Sequence, residues 1–257
     1  LLFRAFLQLA PDARNVALGA VVFGSCALMG VIGAALARIA RMPRPETRLL
    51  FQGFEAGMLG YALFAALHPG HLPAFAALDL GQVVYVFTVL LVQMSLAGGT
   101  SRLPWRDVAA NPVIWAIVGG LALATGAPEV ATTLAAPDGP AAPLFDLVGG
   151  MTTPLVSLVI GASLAAGIPR DPGIIRLVLT RTAVGAALGL FIGLLVVPAF
   201  GFEEWHTRAG LVLFVLPAPF VIPVYHRREP AFVGGVLTAG TAMSVATVAV
   251  LALVGLG

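Results

Sequence analysis

The chain has 257 residues, 59% of them hydrophobic and 10% charged, with a mean hydropathy of +0.99 and a formal net charge of +2. A soluble domain carries roughly 25% charged residues, so this composition excludes a soluble enzyme and a nucleic-acid-binding module. It points to the bilayer as the solvent. All 14 basic residues are Arg, and the single cysteine, Cys26, excludes an intrachain disulfide.

In chain order, 1–10 is apolar but only half as long as the roughly 20 residues that a spanning helix needs. It has no basic leader and no cleavage site. It reads as the tail of a helix that starts before this sequence. Apolar runs then follow at 16–37, 49–67, 80–97, 112–125, 144–166, 174–199, 209–225 and 232–256. They are continuous rather than alternating, which predicts an all-α polytopic membrane protein of about eight spans after the stub, not a barrel.

The arginines order these spans. Arg38, Arg41, Arg44 and Arg48 follow the first. Arg102 and Arg106 follow the third, Arg170, Arg176 and Arg181 the fifth, and Arg227 and Arg228 the seventh. Eleven of the 14 therefore fall in alternate connections. The positive-inside rule puts these on the cytoplasmic side and the C-terminus outside. Asp79 and Asp146 then fall at outer span ends, where carboxylates are solvated.

The spans starting at 16, 49 and 80 run opposite to those starting at 174, 209 and 232. This predicts an inverted repeat, with 1–103 as a first, incomplete repeat and 104–257 as the second. In each trio the middle span is weakened. One carries Gly53, Gly57 and Gly60 with Glu55, and the other carries Pro217, Pro219 and Pro223. Paired Gly- or Pro-interrupted segments in inverted halves point to a transporter site. Three prolines within Leu216–Tyr225 unwind a helix, because each lacks an N–H and clashes with the preceding turn.

Glu55 reads as the one acid well inside a span. An ionised carboxylate there costs about 2.5–3.5 kcal/mol on insertion scales, so it is a functional candidate. Its two readings are a protonatable site and a neutral hydrogen-bonded structural residue. Gln52 lies three residues earlier, on the same helical face. In the last span Thr238, Thr241, Ser244 and Thr247 form a stripe that lines a pathway or packs by bonding its own backbone. Gly185, Gly189 and Gly193 read as a helix-packing face. Thr152-Thr153-Pro154 with Ser157 marks a candidate second discontinuity. His68 and His71 in a Pro/Gly loop lack a third ligand and read as a surface loop, not a metal site.

Leu216 to Tyr225, with its three prolines, resembles the proline-crossed ninth helix of the auxin efflux carrier (PIN-like) membrane transport family. Asn111-Pro112-Val113 to Gly119 resembles that family's opening of the second half. Thr153-Pro154-Leu155 to Leu164 resembles its "PL…GxSL" helix, and Phe51 to Leu63 its fourth, crossing helix. The resemblance covers essentially the whole chain. It implies five plus five helices in two inverted repeats, with two broken helices that cross. It also implies a transport domain (16–97 and 174–256) moving against a scaffold (1–10 and 112–166). The implied cargo is a small organic anion. The chain departs from the family at Glu55-Ala56, where an amide is usual, and at Ala218-Pro219-Phe220, where a polar residue is usual. A neutral or cationic substrate, or a proton site at Glu55, therefore stays open.

The expectation is an inverted-repeat secondary transporter of a bacterial inner membrane, working by alternating access. Its site comprises Gln52, Glu55, Gly57, Pro217, Pro219, Pro223, Thr241 and Ser244. No cofactor or metal is expected. The coupling ion is H⁺, with Na⁺ in a bile-acid-type symporter as the alternative. Expected partners are the lipid bilayer, a small organic acid and a second copy of the chain. A rival of another class is a non-transporting membrane subunit or sensor.

Overall fold

A computed structural model describes residues 2–9, 12–39, 45–97, 109, 112–165 and 171–255. Leu1, Arg41, Arg44, Arg102, Arg106, Asn111 and Arg170 lie outside the described residues, as do the side chains of Thr152, Thr153 and Ser157. Among the described residues every regular element is a helix. In order these are α1 (Leu2–Leu7), α2 (Ala13–Ile39), α3 (Pro45–Leu50), α4 (Ala56–Leu67), α5 (Leu72–Ala97), α6 (Pro112–Gly126), α7 (Pro128–Ala135), α8 (Ala142–Ala165), α9 (Pro172–Ala199), α10 (Glu204–Phe214), α11 (Ile222–Tyr225) and α12 (Pro230–Leu253). Of these, α2, α5, α9 and α12 are long and apolar enough to cross a bilayer. They mark an integral membrane protein.

Local chemistry sets the helix ends. Asp171 caps α9, its Oδ1 accepting the Gly173 N–H at 2.7 Å, and Pro172 opens the first turn, where a missing N–H costs nothing. Asp12 caps the start of α2 by accepting the Asn15 N–H at 2.8 Å. That bond, aided by Arg14, holds the Asp12 carboxyl below the usual carboxylate range. Helix α5 starts at Leu72, eight residues before the apolar run at 80–97. Asp79 is fully buried in mid-helix. Its assignment to a solvated span end is therefore corrected. Helix α8 runs unbroken through Pro154. The discontinuity expected there is absent, because one proline removes only one ladder bond.

The long helices pair around the two interrupted segments. Helix α2 packs along α5, and α9 packs along α12 and α10. The first pair touches at glycine: a Cβ on Gly81 would collide with the backbone of Gly19, so this approach requires glycine at position 81. The expected packing face on α9 meets α10, where Gly185 and Gly189 face the backbone and Cβ of Phe214. Of the four long helices, α5 is the most enclosed and α9 the least. Phe75 of α5 contacts Tyr61 and Phe64 of α4 at ring separations of 4.9 and 5.2 Å. Helices α6 and α7 lie to one side with α1, and α8 meets the remainder through α12 and α4.

The arginine pattern needs one revision. Arg48 lies in α3, and Arg176 and Arg181 lie in α9. Arg181 is only 4% exposed. It sits inside the bundle rather than in a connection, so it carries no information about sidedness.

Candidate functional site

The run at 49–67 is two helices with a break between them. Helix α3 ends at Leu50, and 51–55 is irregular before α4 begins. Gly53 makes the break, with φ of +66°, a conformation that side-chain-bearing residues reach only at a cost. A Cβ on Gly53 would also lie 2.8 Å from Val86 Cγ2 and 3.0 Å from Pro219 Cγ. The glycine therefore supplies both the turn and the room for the second broken segment.

That second segment is 209–225. Helix α10 stops at Phe214, 215–221 is unwound, and α11 restarts at Ile222 with Pro223 in its first turn. Pro217 and Pro219 donate no hydrogen bond, so the ladder cannot continue. The chain closes with tight turns instead, the Leu216 N–H reaching Leu213 O at 3.2 Å and the Ile222 N–H reaching Pro219 O at 3.1 Å.

The two breaks meet and satisfy one another. The Glu55 N–H donates to Pro217 O at 2.9 Å. The Glu55 carboxylate accepts the Phe220 N–H on Oε2 at 2.5 Å and the Met58 N–H on Oε1 at 3.2 Å. Thus one acid takes donors that both breaks leave free. The matching acceptors go to Arg181. Its Nε donates to Leu50 O at 2.9 Å, and its two terminal nitrogens donate to Leu216 O at 2.6 Å and Gly53 O at 2.5 Å. Its guanidinium carbon stands 5.3 Å from the Phe54 ring centroid, a cation–π contact. No carboxylate pairs with Arg181 among the described residues. A broken helix leaves orphan carbonyls on one side and orphan N–H groups on the other. Here a base collects the first kind and an acid collects the second.

The remaining expected residues divide. Ser244 donates to Val215 O in the second break at 2.6 Å. Thr241 donates to Leu237 O and Thr247 to Met243 O in their own helix, both at 2.8 Å, so of these three hydroxyls only Ser244 reaches the site. Gly57 is half-buried, and a Cβ there would meet nothing nearer than Glu55 Oε1 at 3.8 Å. Gln52 is fully buried within the break, and its side chain bonds none of the groups that hold Glu55. It accepts from Tyr85 Oη at 2.5 Å, donates to Arg48 O at 2.9 Å and bonds Gln93 at 3.0 Å. The shared face inferred from its spacing does not exist, because 51–55 is not helical. At the far end of α11, His226 Nε2 lies 3.0 Å from Glu46 Oε1, a fully buried contact tying α11 to the start of α3.

Neither Arg181 nor Asp79 was singled out from the sequence. Arg181 was grouped with Arg176, although an arginine well inside an apolar run was itself a signal. Asp79 was passed over in favour of Glu55, and the expectation that Glu55 is the one acid inside a span is corrected. Gln82, one turn after Asp79, donates from Nε2 to Asp79 Oδ1 at 3.2 Å and to Phe54 O at 2.8 Å. It thereby joins the buried acid to the first break.

No protein-family profile and no curated protein matches the chain. Among the described residues, a cavity beside the crossing, between Arg181, Thr182, Pro217, Ala218 and Gly240, measures about 10 Å³, room for about one water. A larger cavity of about 490 Å³ lies between α1, α6 and α7. Its lining is mainly Leu, Ala and Pro and includes none of Glu55, Asp79 and Arg181.

Proposed function

We propose that the chain is a secondary active transporter that carries a small organic acid or similar metabolite across the membrane by alternating access. The observation that carries this reading is the pair of broken segments at 51–55 and 215–221, crossing inside the bundle with a buried acid and a buried base on their free backbone groups. Irregular backbone at membrane depth is tolerated only where protein or a water-filled cavity satisfies it. Crossed discontinuous helices are how carriers build a polar site in lipid. The resemblance to auxin efflux carriers supports the same reading. So do the opposed order of the trios α2–α5 and α9–α12, read as halves of an inverted repeat, and the arginine pattern, read by the positive-inside rule as an outside C-terminus.

Proton coupling is favoured over sodium coupling by one arrangement. The carbonyls of Leu50, Gly53 and Leu216 already receive Arg181, and that of Val215 receives Ser244. A sodium ion would have to displace those donors. The test is uptake of labelled small organic acids into proteoliposomes of the purified chain, with an imposed pH gradient, in sodium and in potassium media. The reading expects gradient-driven uptake that is equal in the two media and lost in Glu55→Gln. Strict sodium dependence selects the bile-acid-type alternative. No uptake of any probe by a folded protein selects the non-transporting subunit.

A further inference from the structure

Two buried carboxyls lie close to the first break, and they are furnished differently. Glu55 accepts two backbone N–H groups, the donor set of a group that bears charge. Asp79, fully buried, accepts on Oδ1 from Gln82. Its Oδ2 has no donor, although the Tyr61 hydroxyl lies beside the carboxyl. The Tyr61 hydroxyl and Gln82 Oε1 also make no hydrogen bond. The titratable groups near Asp79 are Tyr61 of α4, Glu55 ahead of α4 and Cys26 of α2. No arginine or histidine bonds to it among the described residues. An ionised carboxylate buried this deeply, with no cation bonded to it among the described residues, is among the costliest groups to bury. A proton on Oδ2 removes the charge and gives that oxygen a donor aimed at Tyr61.

We infer that Asp79 is a proton-binding site distinct from Glu55, its bound proton directed at the Tyr61 hydroxyl, and that Gln82 connects its charge state to the crossing. When the proton leaves, the carboxylate draws the Gln82 amide and the Tyr61 hydroxyl toward itself. Gln82 holds Phe54 O, the carbonyl immediately before Glu55, so deprotonation pulls on the first break. Resting on the carrier reading, this assigns the coupled proton to Asp79 and leaves Glu55 as the charged contact at the crossing.

The site is tested by infrared spectroscopy of the full chain in liposomes at neutral pH, with no substrate added. The expected result is a carbonyl stretch of a protonated carboxyl that moves when aspartate is carbon-13-labelled at its side-chain carboxyl. It stays in place when glutamate is so labelled. Asp79→Asn loses this band, Glu55→Gln keeps it, and Tyr61→Phe keeps it but shifts it to higher frequency. The labelling arm uses the unaltered protein, so it decides the matter even if Asp79→Asn does not fold. Absence of the band, its movement with glutamate label, or its loss in Glu55→Gln overturns the proposal. A protein that shows the aspartate band but transports nothing keeps this site and loses the carrier reading. A proton-driven carrier without the band does the reverse.

Discussion

The side chain of Glu55 closes a hydrogen bond with the backbone of Phe220, 165 residues further along the chain. Its own N–H meanwhile donates to Pro217. One residue thus seals two interruptions at once, and the first prediction concerns it. Glu55→Ala leaves the Phe220 and Met58 N–H groups without their acceptor inside the bundle, at a cost of about 1–3 kcal/mol for an unmet buried donor. Glu55→Gln keeps an amide oxygen and is expected to lose less. Unfolding in mixed micelles compares them, and equal stability of Glu55→Ala and the parent chain would contradict the arrangement.

Arg181 serves three carbonyls from two segments. A lysine cannot span them, because it lacks the planar fork of a guanidinium. Arg181→Lys is expected to destabilise the protein by about 1–3 kcal/mol, and Arg181→Met by more. Thermal unfolding in detergent checks the order. The reverse order, with Met better tolerated than Lys, would mean that packing rather than hydrogen bonding decides this position.

Gly53 and Gly57 are four residues apart and predict opposite outcomes. Gly53→Ala forces a side chain into a positive-φ position against Val86 and Pro219, with an expected loss of about 1–3 kcal/mol. Gly57→Ala enters open space in a helical turn and is expected to be neutral or to gain up to about 1 kcal/mol. Paired melting curves test the contrast, which fails if the two variants behave alike.

Ser244→Ala removes the donor that reaches Val215 O in the second break, at a cost of about 1 kcal/mol. Thr241→Ala removes a bond within its own helix and is expected to cost less. Amide hydrogen exchange of 215–221 should quicken in Ser244→Ala and stay unchanged in Thr241→Ala. Equal exchange in the two variants refutes the assignment.

What the sequence discloses follows from how local the chemistry is. Pro217, Pro219 and Gly53 act on their own backbone, so both breaks were visible without coordinates. The crossing itself was an inference from symmetry and resemblance. Arg181 was misplaced because a count by connection treats every arginine near a span end alike, and only the fold reveals an arginine turned inward. Asp79 escaped because a single acid in an apolar run looks the same at a span end and in its middle. Gln52 failed in another way: helical spacing was applied across a stretch that Gly53 had already unwound. Where a break is predicted, periodicity should be restarted on its far side.

The contact between Gly19 and Gly81 limits how this molecule can deform. With main chain pressed on main chain, α2 and α5 have no side-chain cushion to slip across. They form a stiff brace that carries the first break with it. On the other flank, α8 presents Leu144, Leu147, Met151, Leu155 and Leu158 outward, each more than half exposed. It leans on the remainder through α4 and α12. Large displacements are therefore cheapest along the α8 boundary, and crosslinks between α8 and α4 are where an arrested protein should be sought.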